Sequence, residues 1–272
     1  MRGLAPCLLS ASLACAPFGA PAQAQLPADP LAGAQVVDLT HALDERAIFW
    51  PTADKFRLDT VAAGRTDKGY YYAANNFCTA EHGGTHLDAP IHFAEGRWTT
   101  DQIPLERLIG RAVVVDVTSQ VSADRDYQVG IRDFEDWERR HGRIEHDSLV
   151  LIRTGYARHW PDAQAYLGTV ERGAAAVAKL HFPGLDSAAA GWLVQARKVK
   201  AVGIDTASID HGQSTLFETH RTLSAQNVPA LENLAHLERL PPRGATVLAL
   251  PMKIAGGSGG PVRVIALVPG DR

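Results

Sequence analysis

Short runs of aliphatic and β-branched residues recur along the chain and predict buried strands. Each run is shorter than a typical helix and rich in β-branched or aliphatic residues, which favours a strand over a buried helix. Continuous rather than alternating hydrophobicity is typical of strands that are covered on both faces. The predicted strands are Val36–Thr40, Arg111–Val117, Ser148–Arg153, Val199–Ile204, Ala245–Leu250 and Val262–Val268.

Helical patterns lie between these strands. A charged segment, Ile131–His141, ends at Gly142, and an alanine-rich amphipathic segment spans Leu185–Arg197. A third helix is predicted over Phe217–Gln226, whereas the stretch from Phe49 to Tyr72 is predicted to be irregular. Strands that alternate with helices, without a linker or an internal repeat, predict a single mixed α/β domain with a β-rich core flanked by helices.

Composition and charge narrow the possible partners. The chain has 272 residues, of which 46% are hydrophobic and 21% charged, as is ordinary for a soluble globular protein. The net charge is −3, and the densest arginines lie among acidic residues. This charge pattern argues against nucleic acid or an anionic membrane surface as a partner.

The N-terminal segment has the pattern of a secretory signal: one positive charge, an apolar stretch and small residues at Ala22–Ala24. We therefore predict that residues 1–24 are removed and that residues 25–272 form an exported domain, periplasmic or secreted. Two of the three cysteines lie in the signal, so the mature chain keeps Cys78 and forms no internal disulfide. Cys78 lies near several histidines, but a lone cysteine is more often a small buried hydrophobe than a metal ligand.

The densest chemistry lies in Glu81–Phe93, EHGGTHLDAPIHF, which holds three histidines and one aspartate. The spacing of His82 and His86 suits a metalloprotease helix, but two glycines separate them, and each costs about 1 kcal/mol against alanine in a helix. Pro90 disfavours helix at the residue before it. No glutamate follows the first histidine directly, as that motif requires. The helical zinc motif is therefore excluded.

An extended backbone accounts for the spacing better. Alternate residues of a strand share a face, so His82, His86, Asp88 and His92, all even-numbered, would project to one side. Two imidazoles and a carboxylate are suitable ligands for zinc, manganese or iron. His92 lies further along and is better placed as a general base or proton shuttle. The alternative, a histidine-rich surface loop without chemistry, is disfavoured because four such side chains lie in phase.

The same segment resembles a known family. HGGTHLDAPIH matches the HxGTHxDxPxH signature of the cyclase family, which includes bacterial-type kynurenine formamidases and isatin hydrolases, and every fixed position is present. Similarity extends through AVGIDTASIDHG, FETHRTL, NVPALENL and LPMKIAGGSGGPVRVIAL, and so covers most of the mature chain. The resemblance implies that His82, His86 and Asp88 bind a divalent metal, zinc or manganese, and that His92 is catalytic.

The resemblance also assigns residues that the local pattern does not. It implies that His220 and Glu232 complete a site for one or two ions, bridged by the aspartate, and that Trp50 lines the substrate pocket. Without the family, His220 would pass for a surface residue of a helix, and Glu232 for the first turn of a final helix. Trp50 would equally suit a core position. A homodimer or higher homo-oligomer is implied as well.

The implied activity is hydrolysis of an amide C–N bond, in an aryl formamide or a cyclic amide such as isatin, by metal-activated water with a histidine base. Two alternatives remain from the residues themselves. One is a non-catalytic periplasmic module that binds metal or ligand. The other is a serine hydrolase, because Gly256–Gly260 reads G-x-S-x-G with Ser258 in the nucleophile position. A β-type run follows Ser258 instead of the helix that a nucleophile elbow requires, which disfavours the serine hydrolase.

Overall fold

The computed structural model describes residues 33–270. The predicted signal sequence, residues 1–24, lies outside this range. No helix within the described range is long and apolar enough to cross a membrane. The strands are β1 (Ala34–Asp38), β2 (Arg57–Arg65), β3 (Tyr71–Cys78), β4 (His86–Asp88), β5 (Ile109–Asp116), β6 (Gln128–Val129), β7 (Leu149–Arg153), β8 (Gly184–Leu185), β9 (Ala201–Ile204), β10 (Ala230–Glu232), β11 (Arg243–Pro251) and β12 (Gly259–Pro269).

Most helices are short. The α-helices are α1 (Leu105–Leu108), α2 (Thr118–Ala123), α3 (Ile131–His141), α4 (Ala163–Leu167), α5 (Ala174–Val177), α6 (Ser187–Trp192) and α7 (Glu218–Ser224). A π-helical turn, Leu193–Arg197, continues α6. Single 3₁₀ turns span Pro90–His92, Thr100–Gln102, Tyr156–His159 and Leu237–Arg239.

Seven strands close into a barrel. The sheet order is β12-β11-β5-β7-β9-β10-β4, and β4 also pairs with β12, which joins the two ends. Strands β5, β7, β9 and β10 run parallel, whereas β4, β11 and β12 pair antiparallel with their neighbours. Strand β1 adds to the second half of β12. The three-residue β4 is thus the seam of the barrel.

Alternation along the strands builds two hydrophobic cores. In β5, Val114 belongs to the core inside the barrel, whereas Val113 and Val115 belong to the core between the barrel and the helices. The outer core takes Phe134 and Trp137 from α3. Both strand faces are covered, which explains why β5, β7 and β9 are continuously hydrophobic in sequence.

The structure confirms the mixed α/β domain and most of the predicted elements. Helix α3 has the predicted bounds: Asp133 accepts a hydrogen bond from Gly130 N at its start, and Gly142, at φ 83°, ends it. The prediction of irregular structure up to Tyr72 was wrong in part, because β2 and β3 form a two-stranded hairpin there. Both faces of this hairpin are largely exposed, so its sequence lacks the alternation that marks a half-buried strand.

Candidate active site

The site is built on the outer face of the barrel seam. Leu87, the central residue of β4, points into the barrel core, so His86 and Asp88 on either side of it point outward. Glu232 of β10 lies directly opposite His86 in the antiparallel register. Glycine at position 259 of β12 lies opposite Asp88 on the other side. The pairing of β4 with β10 therefore places two ligand-type side chains next to a carboxylate.

Asp88 is the centre of the cluster. Its side chain is buried, and Oδ1 lies 2.7 Å from His82 Nδ1 and 3.2 Å from His86 Nε2. The second oxygen, Oδ2, lies 3.0 Å from Nε2 of His220, which α7 supplies. Each carboxylate oxygen of Asp88 thus faces at least one imidazole nitrogen.

Glu232 closes the cluster on the far side. Its Oε2 lies 3.4 Å from His86 Nε2, and its Oε1 lies 3.2 Å from His220 Nε2. Oε1 also accepts a hydrogen bond from the backbone N–H of Ile209, at 2.7 Å, which fixes the orientation of the carboxylate. His220 and Glu232 are both about 95% buried, so the surface and helix-start interpretations drawn from the local sequence were wrong. Glu232 lies in a strand because β4 and β9 pair with it on either side.

In three of the imidazoles, the ring nitrogen that points away from the carboxylates makes a hydrogen bond. His86 Nδ1 lies 3.0 Å from the carbonyl of Gly84, and His220 Nδ1 lies 2.6 Å from Asp210 Oδ2. His82 Nε2 lies 2.9 Å from Ser258 Oγ. Outer hydrogen bonds of this kind orient histidines that ligate metals. The near nitrogens of all three rings are left facing the two carboxylates.

The donor set fits a divalent metal. Two groups of three side chains bring their ligand atoms within 4.8 Å of one another: His82, Asp88 and His92, and His86, Asp88 and Glu232. Imidazole nitrogens and carboxylate oxygens suit zinc and manganese alike. Cys78 is exposed on the β2–β3 hairpin and belongs to neither group, so the structure leaves no role for it as a ligand.

The electrostatics of the cluster is a balance between burial and pairing. Burial would raise the pKa of Asp88, but His82 and His220 hold that pKa well below the usual value. Burial, together with the charge of Asp88, raises the pKa of Glu232. Burial lowers the pKa of His86, yet the hydrogen bond to Asp88 and the charges of both carboxylates outweigh burial and raise it to about 9. The imidazoles of this cluster thus hold protons that a divalent cation would displace on binding.

His92 reaches the site by a route that the sequence prediction missed. The backbone is extended through His86–Asp88, but it turns into a 3₁₀ helix at Pro90–His92, with Pro90 at the first position. The turn brings the His92 ring back to stack on His82, with centroids 3.8 Å apart. Burial first, and the neighbouring imidazoles next, lower the pKa of His92 to about 4, against the opposing charge of Asp88. His92 is therefore neutral at pH 7, with an unprotonated ring nitrogen in the cluster.

An aromatic wall faces the cluster across a cavity of about 250 Å³. Trp50 packs edge-on against Phe217, with centroids 6.2 Å apart, and Phe93 lies 5.3 Å from Phe217. Phe93 also lies 4.4 Å from the ring of His220. The cavity thus has an apolar aromatic half and a polar half that contains all six predicted ligand and catalytic side chains.

The structure brings all of the predicted site residues together, Trp50 included. Sequence reasoning missed Asp210, which follows β9 in SIDHG and would have been visible only as a carboxylate near a predicted strand end. It also missed Phe217, whose backbone lies in the left-handed region at φ 49°. This conformation is rare for a bulky residue and typical of functional sites.

Comparisons with known proteins show which sequences and folds this chain resembles. A family model described as "Putative cyclase" matches residues 37–211. An isatin hydrolase from Roseibium aggregatum is 34% identical over 209 residues, 74% of this chain and 77% of that protein. A kynurenine formamidase from Salinibacter ruber is 28% identical over 234 residues, 85% of this chain and 96% of that protein. The solved isatin hydrolase A from Ralstonia solanacearum, 34% identical, superposes with a TM-score of 0.80 over 91% of this chain and 100% of that one.

Proposed function

This chain belongs to the cyclase family, and we propose that it is a metal-dependent hydrolase of an amide C–N bond in an aryl formamide or a cyclic aryl amide. The observation that carries the proposal is the convergence of four imidazoles and two carboxylates on one side of an aromatic cavity. The relatives named above, an isatin hydrolase and a kynurenine formamidase, support the same bond type.

His82, His86, Asp88, His220 and Glu232 would together hold one or two divalent metal ions, since Asp88 lies within 3.2 Å of a nitrogen of all three imidazoles. A bound divalent cation supplies Lewis acidity and lowers the pKa of water at the site. Asp88 contacts an imidazole with each oxygen, so its carboxylate would be available to either ion. Glu232 adds a second negative charge beside His86 and His220, which favours a dication over a neutral ligand.

His92 is the general base of the proposed reaction. Its imidazole is neutral at pH 7, stacks on His82 and lies beside Asp88, so it can take a proton from the attacking water and return it to the departing nitrogen. Trp50, Phe93 and Phe217 provide a flat apolar surface that would orient an aromatic ring and exclude water from it. A planar aryl amide would place its carbonyl at the polar half of the cavity.

The test is turnover by the purified, metal-reconstituted protein of N-formylkynurenine and of isatin. We expect hydrolysis of at least one, loss of activity on chelation, and recovery with zinc or manganese. Hydrolysis of isatin alone would favour the cyclic-amide alternative, which the 34% identity to an isatin hydrolase supports. Tight metal binding without turnover of any aryl amide would instead support the non-catalytic module.

The variant His92→Ala separates the base from the ligands. We expect it to retain bound metal, measured by elemental analysis, while kcat falls about 10²- to 10⁴-fold, the usual contribution of a positioned acid or base. Retained metal with full activity would contradict the role of His92. Loss of the metal would reassign His92 as a ligand.

Two further properties complete the proposal. We infer export to the periplasm or the medium from the N-terminal pattern, which cell fractionation tests directly. We also infer a homodimer or higher homo-oligomer, because the β2–β3 hairpin exposes large apolar side chains, including Leu58, Tyr71 and Phe77, on a unit that is marginally stable alone. Size-exclusion chromatography with light scattering tests the assembly, and a monomer at micromolar concentration would contradict it.

A further inference from the structure

The G-x-S-x-G segment, Gly256–Gly260, lies against the metal-ligand loop. The backbone N–H of Ala89 donates a hydrogen bond to the carbonyl of Ser258, at 2.9 Å. The hydroxyl of Thr100 donates to the carbonyls of residues 257 and 259, at 3.0 and 3.1 Å. Ser258 is thus fixed from both sides, and its position relative to His82 is defined by backbone contacts.

The Ser258 hydroxyl stands between two charged or ionisable groups. It donates its hydrogen to Glu81 Oε2, 2.6 Å away, and the same carboxylate oxygen accepts from the backbone N–H of Ser258, at 3.0 Å. His82 Nε2 lies 2.9 Å from the same hydroxyl oxygen. Because the only hydroxyl hydrogen goes to Glu81, His82 must be the donor, and its Nε2 carries a proton.

The direction of these hydrogen bonds is opposite to that of a serine hydrolase. A nucleophilic serine gives its hydrogen to a histidine, which acts as its base. Here Ser258 accepts from His82 and donates to Glu81, so its hydroxyl lacks the hydrogen bond to a histidine base that the triad of a serine hydrolase uses. These hydrogen bonds disfavour Ser258 as a nucleophile.

The flanking glycines are needed for this close approach. A Cβ at position 259 would lie 2.5 Å from His82 Cε1 and 2.7 Å from the carbonyl oxygen of Leu87. A Cβ at position 257 would lie 2.7 Å from Glu81 Oε1. All three distances are shorter than real Cβ contacts, so glycine at both positions lets the loop reach the imidazole and the carboxylate together.

We propose that Glu81 and Ser258 are positioning residues that hold His82 with its proton on Nε2, so that Nδ1 presents a lone pair to the metal. Hydrogen bonds to the remote nitrogen fix the tautomer and the ring orientation of metal-ligating histidines. Glu81 acts through Ser258: without the carboxylate, the hydroxyl can rotate and donate to His82 Nε2, which would move the imidazole proton onto the ligating nitrogen. The inference rests on the proposed function only in requiring that a metal binds.

The experiment measures zinc and manganese dissociation constants by competition with a chromophoric chelator. We expect Ser258→Ala and Glu81→Ala each to weaken binding about 10- to 100-fold, the usual effect of losing such an outer hydrogen bond. Because Glu81 acts through Ser258, the double variant should lose no more metal affinity than the single variant with the larger loss. Ser258→Thr and Glu81→Gln keep the hydroxyl and the acceptor, so they should restore most of the affinity.

The control distinguishes loss of the hydrogen bond to His82 from a general destabilisation of the Gly256–Gly260 segment. Thr100→Val removes the hydrogen bonds to the same loop but touches neither His82 nor Glu81. It should lower the melting temperature and leave metal affinity close to that of the wild type. Equal loss of affinity in Thr100→Val and Ser258→Ala, additive losses in the double variant, or wild-type affinity in Ser258→Ala would each overturn the inference while leaving the proposed function intact. A wild-type protein that binds no metal would overturn both.

Discussion

The substitution Asp88→Asn tests the centre of the site most directly. Asparagine has the shape of aspartate but no charge, and one of its two terminal groups can only donate. In the wild type, both Asp88 oxygens face imidazole nitrogens at 2.7 to 3.2 Å in a side chain that is 4% exposed. Removing one member of a buried charge pair costs roughly 3–5 kcal/mol. We therefore expect the affinity for zinc or manganese to fall roughly 10²- to 10⁴-fold.

The assay is chelator competition on the purified variant, with Asp205→Asn as the matched control. Asp205 is also a fully buried aspartate of this domain, but it accepts hydrogen bonds from Thr154 and Gly155 and lies outside both ligand groups. Asp205→Asn should lower stability and leave metal affinity unchanged. Wild-type affinity in Asp88→Asn, or an equal loss in both variants, would refute the proposed role of Asp88 as a metal ligand.

Three further outcomes follow from the same geometry. Asp210→Asn should weaken metal binding about 10- to 100-fold, measured by the same competition, because Asp210 orients His220. Trp50→Ala should weaken the binding of aryl substrates by about 0.5–1.5 kcal/mol, measured as a higher KM. The KM for an aliphatic formamide should stay unchanged. In chelated protein, the raised pKa of His86 stabilises the fold fully below pH 6.5, and this stabilisation is lost as pH rises through about 9. The free energy of unfolding from urea melts should be about 3 kcal/mol higher at pH 7 than at pH 10. A free energy of unfolding that changes only below pH 5 would contradict this reasoning.

The local periodicity of the sequence was sufficient for the centre of the site and for most buried strands. His86, Leu87 and Asp88 alternate as predicted because β4 is a regular strand whose middle residue is needed in the barrel core. The prediction extended this regularity too far. A glycine at φ 59° before β4 and a proline turn after it carry His82 and His92 to the same place by bending the chain.

The distant partners could not be read from local pattern. His220 lies 132 residues from Asp88 along the chain, and Glu232 is next to His86 only because β10 pairs with β4. A helical histidine and a carboxylate after a proline have many ordinary explanations, and only the family resemblance selected them. Ser258 is the opposite case, in which a local motif was misleading. The G-x-S-x-G motif suggested a nucleophile, but the Ser258 hydroxyl accepts a hydrogen bond from His82 and donates its hydrogen to Glu81.

Strand β4 both closes the barrel and carries site residues, so the site and the fold depend on the same strand. The strand closes the barrel through three residues, and both of its neighbours serve the site: β10 supplies Glu232, and the glycine-rich start of β12 brings Ser258 to His82. Two buried carboxylates in one cluster need positive partners, because burial raises the pKa of Glu232 and opposes the charge of Asp88. The imidazoles of His86 and His220 are such partners in the metal-free protein, and a metal ion would take over this role at the seam of the barrel. Occupancy of the site and closure of the sheet would then stabilise each other.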